Sequence, residues 1–226
     1  MSILDIFFPR SCAICGSRLA DGERDICLSC TRAMSLTDDF CSPLDNPTAR
    51  RLWGRCDVER AVALARFYPH TRFATAIYRM KYNNHPEIGE AFGRLAASIL
   101  ARHGFFDGID LLIPLPLHKQ RERERGYNQS LEIARGIAIA THIPICHDNV
   151  TRSRYTVSQT TVSPDTRTKN VEGAFCVRHP EEISSRHILL IDDIITTGAS
   201  LSTCAREIQS VADVTTSFFT IGRTEM

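Results

Sequence analysis

An apolar run that ends in two acids constrains the fold more than any other feature of this sequence. Residues 188–191 read ILLI, and Asp192 and Asp193 follow directly. Both alternating faces of the run are apolar, which is typical of a central strand in a parallel sheet covered on both sides. Further strands are predicted over 61–67, 110–116 and 144–150, and helices over 71–82, 86–102, 128–141 and 199–210. This alternation predicts an α/β fold, with a mainly parallel sheet flanked by helices.

The acid pair and the residues after it predict a ligand site, because α/β folds bind ligands beyond the carboxyl ends of their parallel strands. Backbone N–H groups at a small turn that opens a helix favour a phosphate. The five residues of that turn are Thr196, Thr197, Gly198, Ala199 and Ser200. Two adjacent carboxylates repel each other unless sugar hydroxyls or other groups compensate. The stretch therefore predicts a site for ribose 5-phosphate. The alternatives are a capped strand–helix joint with solvated acids and the phospho-acceptor aspartate of a receiver domain.

Two further stretches are rich in cationic side chains. A basic run after the strand at 110–116 contains Lys119, Arg121, Arg123 and Arg125. Arginine suits bidentate contact with a phosphate, whereas a solvated run neutralised by the interleaved glutamates is the alternative. The polar stretch 152–173 has no clear period, and its cations could close over a ligand as a lid or form a disordered linker.

The cysteines divide the chain. Two C-x-x-C pairs, formed by Cys12, Cys15, Cys27 and Cys30, predict a small N-terminal zinc knuckle. Disulfides or an iron–sulfur cluster are the alternatives. Residues 41–60 indicate an irregular linker, with Trp53 as a packing anchor rather than a base-stacking platform. The predicted division is a zinc-binding knuckle and linker over 1–60 and an α/β domain over 61–226. Cys146, Cys176 and Cys204 are expected in the core.

Composition narrows the class of protein. The chain has 226 residues, 43% hydrophobic and 23% charged, which suits one sizeable core. A formal net charge of +1 excludes the whole chain as a polyanion-binding surface, so any nucleic-acid contact needs a local patch. No apolar run is long enough to span a bilayer, and the N-terminus is a poor signal peptide. A cytoplasmic location with mostly reduced cysteines is expected.

Several motifs carry a resemblance to a known family. LLIDDIITTGAS resembles the phosphoribosyl pyrophosphate (PRPP) motif of type I phosphoribosyltransferases. CAICG, CLSC, KYNNH, IPLPLHKQRERERGYNQS and TRSRYTVSQTTVSPDTRTKNVEGAF resemble, in order, blocks of the ComF-type, competence-associated phosphoribosyltransferases. Thr161 stands where that family often has glycine, and Ser200 replaces a threonine of the PRPP motif.

The resemblance implies a type I phosphoribosyltransferase fold and an enzyme that displaces pyrophosphate from ribose C1 of PRPP with a nitrogen nucleophile. Mg²⁺ would accompany PRPP, and zinc would be structural. It implies catalytic roles for Asp192, Asp193 and Arg125. It implies PRPP contacts from Asp192, Asp193, Thr196, Thr197, Gly198, Ala199, Ser200, Lys119, Arg121, Arg125, Arg152 and Gln159. Lys81 in KYNNH is left open between a substrate-phosphate contact and plain surface charge.

The resemblance also leaves a second function open. The chain could be a non-catalytic PRPP- or nucleotide-binding accessory protein that binds single-stranded DNA during uptake. The partners implied are PRPP, a nitrogenous acceptor of unknown identity, single-stranded DNA or a competence helicase, and a second copy of the chain in a homo-oligomer. Competition between DNA and PRPP would discriminate the two functions.

Overall fold

The computed structural model describes residues 10–152 and 174–225. The strands are β1 Arg60–Phe67, β2 Leu111–Pro114, β3 Val150–Arg152, β4 Phe175–Val177, β5 His187–Ile195 and β6 Thr215–Thr224. The helices are α1 Leu28–Ala33, α2 Arg72–Tyr82, α3 Glu87–Leu100, α4 Lys119–Arg125, α5 Gln129–Thr141, α6 Pro180–Ile183 and α7 Ala199–Gln209, with 3-10 helices over Asp39–Cys41, Ala49–Arg51 and Ala101–His103. In these two ranges, no helix is both long and apolar enough to cross a membrane.

The main sheet is parallel and has the strand order β1-β6-β5-β2. All three pairings between its neighbouring strands are parallel. A single bridge between Leu112 and Ile145, also parallel, extends the sheet beyond β2. Strands β3 and β4 form a separate antiparallel ribbon. The expected mainly parallel sheet flanked by helices is therefore confirmed.

Two hydrophobic cores cover the two faces of the sheet. Leu189 and Ile191 of β5 pack into the core that also contains α2, α3 and α5. Ile188 and Leu190 pack into the other core, together with α7 and the β3–β4 ribbon. All four side chains are fully buried. Because successive residues of a strand point to opposite faces, this division fixes which face each acid of β5 approaches.

The start of α5 is held at the carboxyl edge of the sheet. Asn128 caps the helix, as the sequence predicts, and its side chain accepts a hydrogen bond from Ser130 N at 3.0 Å. Its Nδ2 donates to Leu115 O, just beyond β2, at 3.1 Å. This double contact ties the helix to the strand exit. It therefore places Gln129 and Ser130 at the edge where the acids of β5 lie.

Some predicted elements differ from the structure. The strand expected over 110–116 covers only Leu111–Pro114, where proline begins to remove backbone donors. The strand expected over 144–150 is reduced to the bridge at Ile145 and the start of β3, because Asn149 instead bonds to the backbone of His179. The predicted lid over 152–173, including Gln159, lies outside the described residues apart from Arg152.

The segment expected to be an irregular linker is packed against the sheet. It contains the 3-10 helix Ala49–Arg51, and Leu52 is fully buried. Asn46 is also buried, and its Nδ2 donates to Ala61 O of β1 at 2.8 Å. Its Oδ1 accepts from the N–H groups of Thr48 and Ala49, both at 2.9 Å. One buried amide thus orders the segment and joins it to β1. The division of the chain at residue 60 stays a prediction.

A buried ion pair joins the N-terminal region to the last strand. Arg223 of β6 is 2% exposed, and its Nη1 donates to Asp39 Oδ1 at 3.0 Å. Asp39 is 1% exposed and also accepts from Thr48 Oγ1 and from Ala63 N. Buried charges are tolerated when they are paired and hydrogen-bonded. This pair therefore fixes the 3-10 helix Asp39–Cys41 against the carboxyl end of β6.

Replacing Asp39 with alanine should strongly destabilise the protein, because it would leave Arg223 buried without its carboxylate. Breaking a buried pair in this way typically lowers the free energy of unfolding by about 3–5 kcal/mol. Asp38→Ala is the matched control, since its side chain is 80% exposed and its ion pair with Arg66 lies at the surface. Urea denaturation measures both variants, and equal effects would contradict the assignment.

Candidate functional site

The acid pair lies on β5 itself rather than after it. The sequence analysis ended the strand at Asp192, but β5 continues to Ile195 because β6 runs beside it to Thr224. Asp192 pairs with Thr220, and Ile195 pairs with Arg223. Since the two acids are adjacent on a strand, their side chains leave toward opposite faces of the sheet. They therefore have different neighbours.

Asp193 forms the ion pair of the site. Its Oδ1 lies 2.9 Å from Lys81 Nζ, and both side chains are largely buried. Its Oδ2 accepts a long hydrogen bond from Gln129 Nε2 at 3.4 Å. Lys81 belongs to the last turn of α2, so the helix end delivers the cation to the strand. The sequence analysis left Lys81 between a substrate contact and surface charge, and in the structure it contacts an acid.

Asp192 is half-buried and has weaker compensation. Its Oδ1 accepts from Ser130 Oγ at 3.1 Å and from Asp193 N at 2.8 Å. Burial, followed by repulsion from the Asp193 carboxylate, raises the pKa of Asp192 to about 7, against the smaller opposing effects of Lys81 and Ser130. The pair thus combines one acid held beside a lysine with one acid that titrates near neutral pH. Gln129 and Ser130 belong to the quoted GYNQS motif but were not predicted as site residues.

The turn predicted to bind phosphate, here called the 196–200 loop, leads from β5 into α7. Gly198 is the N-cap residue of α7, with a φ of +76° that L side chains rarely adopt. A Cβ there would lie 3.0 Å from Leu52 Cδ2 and 3.1 Å from Arg51 O. Thr196 and Thr197 are exposed. Ala199 N donates to Thr197 Oγ1 at 3.5 Å, and the first N–H groups of a helix have no acceptor within the helix, so phosphate binding at this turn stays a prediction.

Two arginines from the packed segment hold the carbonyl side of the loop. Arg51 Nη1 donates to Ile195 O at 3.0 Å and also to Thr196 O. Arg55 Nη1 donates to Thr197 O at 2.7 Å. In a planar trans peptide the N–H points away from the C=O, so these contacts turn the loop's N–H groups away from the arginines. The sequence analysis missed this arrangement.

The predicted basic residues divide into two groups. Arg152 lies close enough to Arg121 and Asp192 for their charges to affect its pKa, which burial lowers most. Arg152 also stacks over the ring of Phe175, at 5.3 Å from its centroid. Arg125 instead lies over the ring of Tyr82 at 5.3 Å. Lys119 is exposed at the start of α4. Arg152 therefore lies near both Arg121 and Asp192, while Arg125 flanks the end of α2.

The N-terminal cysteines form a compact group that fits a zinc ion. The sulfur atoms of Cys12, Cys15, Cys27 and Cys30 all lie within 4.8 Å of one another. Cys15 Sγ and Cys27 Sγ are 3.8 Å apart, and a zinc tetrahedron with bonds of about 2.3 Å has edges of about that length. All nine cysteines are free. Of the three expected core cysteines, Cys204 is buried but Cys176 is exposed, so that expectation is wrong for Cys176.

Known proteins resemble both the N-terminal cysteine segment and most of the chain. A family model described as a double zinc ribbon domain matches residues 3–58. The DNA utilization protein YhgH of Shigella flexneri is 28% identical over 208 residues, covering 88% of this chain and 90% of that protein. Competence protein F of Haemophilus influenzae is 31% identical over 130 residues, covering 56% and 57%. A solved adenine phosphoribosyltransferase is 14% identical with a TM-score of 0.42, covering 66% of this chain and 74% of that one.

The chain joins an α/β part to a four-cysteine module. The α/β part contains a parallel sheet in which the central strand β5 carries an acid pair and leads into a glycine turn. The resemblance to the ComF-type, competence-associated proteins is confirmed by the named homologues. The family model also supports zinc at the four cysteines over a disulfide or an iron–sulfur cluster.

Purified protein should contain one zinc ion per chain, because the four thiols form one closed tetrahedral set. Cys27→Ser should lower the zinc content and the melting temperature, since metal binding stabilises segments with little core of their own. Cys41→Ser is the control, because Cys41 is exposed and outside the set. Elemental analysis that finds iron with sulfide, or no metal, would contradict this assignment.

Asp192→Asn should stabilise the unliganded protein relative to wild type above about pH 4, with the full effect above about pH 7. The pKa of Asp192 is about 7 in the folded protein, against about 3.9 in an unfolded chain. Between these values the unfolded chain releases its proton first, so wild-type stability falls as the pH rises from about 4 to 7. The variant removes this loss, which is at most a few kcal/mol at pH 8. Melting curves from pH 4 to 8 measure the difference.

Asp193→Asn is the matched comparison for that experiment. It leaves Lys81 without its carboxylate in a largely buried position, so it should destabilise the protein at pH 8. A difference between Asp192→Asn and wild type that does not change with pH would show that Asp192 is already ionised at low pH. The same sign of effect for both variants at pH 8 would contradict the unequal surroundings of the two acids.

Proposed function

We propose that the protein binds PRPP and transfers its phosphoribosyl group to a nitrogenous acceptor, with release of pyrophosphate. The proposal rests on one observation, that β5 contains the acid pair and leads directly into the 196–200 loop. Asp192 and Asp193 lie near the carboxyl end of β5, and the 196–200 loop, which opens α7, follows directly. Carboxylates that accept from sugar hydroxyls, next to a phosphate cradle, suit a ribose 5-phosphate group.

The hydrogen-bond donors, carboxylates and cations of the site would orient PRPP. The 5-phosphate would bind the N–H groups of the 196–200 loop, whose carbonyls are held by Arg51 and Arg55. The ribose hydroxyls would donate to Asp192 and Asp193. The pyrophosphate would lie toward the cations around the exit of β2, where Arg152 is close to both Arg121 and Asp192. Lys119, Arg125 and Gln159 remain part of the proposed substrate contacts.

The proposed reaction breaks the bond between C1 and the pyrophosphate oxygen, while the acceptor nitrogen forms the new bond to C1. Positive charge that develops on the ribose ring is stabilised by nearby carboxylates. Lys81 keeps Asp193 in position, and binding of a cationic centre would favour the ionised form of Asp192. Mg²⁺ would neutralise charge on the leaving pyrophosphate. In the described ranges only the four cysteines group as metal ligands, so Mg²⁺ would arrive with PRPP.

A second function is favoured by the names of the relatives. One is a DNA utilization protein and another a competence protein, so a role in handling DNA during uptake is the alternative. In that case the chain would bind PRPP or a nucleotide without transferring it. The discriminating measurement is pyrophosphate release from PRPP in a screen of nucleobases and small amines. Release with one acceptor supports the transferase, and ligand binding without release supports the accessory role.

Three ligands test the proposed binding mode. PRPP with Mg²⁺ carries both phosphate groups, ribose 5-phosphate carries only the 5-phosphate, and pyrophosphate with Mg²⁺ represents only the leaving group. Gly198→Ala should lower the affinity for PRPP and ribose 5-phosphate by about tenfold or more, which corresponds to about 1.4 kcal/mol, but spare pyrophosphate. Arg125→Glu should show the opposite selectivity. Calorimetric titration of each ligand gives the affinities.

Gly108→Ala is the control for the glycine variant. Gly108 has a φ of +73°, so its backbone strain is matched, but no atom lies within 4 Å of an added Cβ. It should lower stability without changing any of the three affinities. If the wild-type protein shows no binding of PRPP at millimolar concentration, the proposal is wrong. Equal losses for all three ligands in Arg125→Glu would place Arg125 elsewhere in the site.

A further inference from the structure

A cavity lies beside the 196–200 loop and shares Thr197 with the phosphate site proposed there. This arginine cleft has a volume of about 530 Å³. It is lined by Pro47, Arg50, Arg51, Trp53, Arg55, Thr197, Arg223 and Glu225. Neither acid of β5 contributes to its wall. The volume is in the range of small-molecule sites, and four arginines face a single lining acid.

Arg50 and Arg55 of the arginine cleft have N–H donors that an anion can use. Arg50 pairs with Asp45 at 2.7 Å, but the two side chains are 60% and 55% exposed. Such a surface pair contributes little to stability, so a phosphate can displace the carboxylate. Arg55 uses Nη1 for Thr197 O, and a guanidinium has five N–H donors in a planar fork. Both side chains can therefore bind an incoming anion.

Arg223, one of the lining residues, has a donor that lacks an acceptor. Arg223 Nε is buried and has no hydrogen-bond partner among the described residues, although its Nη atoms bond to Asp39 and Glu225. Buried donors without partners are rare in folded proteins, and they often mark a place where a ligand or a water binds. The cleft therefore has exchangeable cations among its lining residues, and another lining residue has an unsatisfied buried donor.

Trp53 gives the cleft an aromatic surface. It is the only tryptophan in the chain, and its side chain is 47% exposed. The sequence analysis interpreted it as a packing anchor, and about half of the side chain is left exposed to the cleft region. An exposed indole face between arginines offers stacking to a planar ring whose substituent is anionic. Inorganic phosphate would use the arginines but not the indole, and an acidic peptide need not carry a ring.

We propose that the arginine cleft binds a nucleobase that carries a phosphate, with the base stacked on Trp53 and the phosphate held by Arg50 and Arg55. The ligand is either a free mononucleotide or one nucleotide of a single strand, because both present the same chemistry to the cleft. The inference does not rest on PRPP binding. It depends on the segment that contains Trp53, which the 196–200 loop and the buried Asp39–Arg223 pair hold in place.

The fluorescence of Trp53 tests the proposal directly, since no other tryptophan contributes. The full-length zinc-bound protein is titrated with dTMP and with a thymidine oligonucleotide, and ribose 5-phosphate and inorganic phosphate serve as ligands without a base. Saturable quenching by dTMP supports a free mononucleotide as ligand. Quenching by the oligonucleotide alone supports a single strand that crosses the cleft. No saturable change with either, or equal quenching by ligands without a base, would overturn the proposal.

Charge and stacking variants separate the cleft from general electrostatics. Trp53→Ala, followed by calorimetry, should weaken binding of the quenching ligand by about 5- to 150-fold, as loss of one stacked base typically does. Trp53→Phe should retain most of the affinity. Arg50→Glu should weaken binding at least tenfold, whereas Arg102→Glu makes the same change in net charge at an exposed position outside the cleft and should not. Equal effects of the two charge reversals would refute the assignment of the phosphate to Arg50.

Discussion

Arg223 is a charge buried at the carboxyl end of the last strand, and much of the site region depends on how it is paired. A guanidinium in a core is tolerated only with a carboxylate and further hydrogen bonds, and Asp39 supplies both. Because Asp39 comes from the N-terminal part of the chain, the pair fixes that part against β6. The segment that follows Asp39 then reaches the 196–200 loop, where Arg51 and Arg55 bind the loop carbonyls.

The two adjacent acids of β5 have different partners because of the geometry of a strand. Adjacent residues must face opposite sides of the sheet, so only one acid can meet Lys81 from α2. The other meets Ser130 at the start of α5, and burial raises its pKa to about 7. The two residues are identical, but the fold pairs Asp193 with a lysine and raises the pKa of Asp192 to about 7. A sugar that binds both would meet two different acceptors.

Local patterns in the sequence were sufficient for part of this structure. The apolar run before Asp192 predicted a central parallel strand, and Gly198 predicted a turn that other residues resist. Asn128 predicted the start of α5, and that cap implied the position of Gln129 and Ser130, although neither was named. The paired cysteines predicted a metal-binding module from their spacing alone.

The contacts that were missed join residues far apart in the chain. Arg51 and Ile195 are separated by 144 positions, and Asp39 and Arg223 by 184. No periodicity or cap connects such residues, and proline and glycine made the segment before β1 indicate a linker. Lys81 was ambiguous for the same reason, since only the packing of α2 against β5 shows its partner. The extension of β5 past the acids also depends on β6, which lies later in the sequence.

The same arginines that support the 196–200 loop line the cleft with Trp53, so the two sites share structural elements. A ligand in the cleft and a phosphate on the loop would both act on Arg55 and the carbonyl of Thr197. If one ligand strengthens that contact, binding of the other becomes more favourable, and linkage requires the effect to be equal in both directions. If the ligand in the cleft instead takes Arg55 from the loop, each ligand weakens the other by the same factor. Both the positive and the negative coupling would act through the hydrogen bond from Arg55 to Thr197 O. This contact matters because residues 196–198 lie between β5 and α7 and belong to neither element.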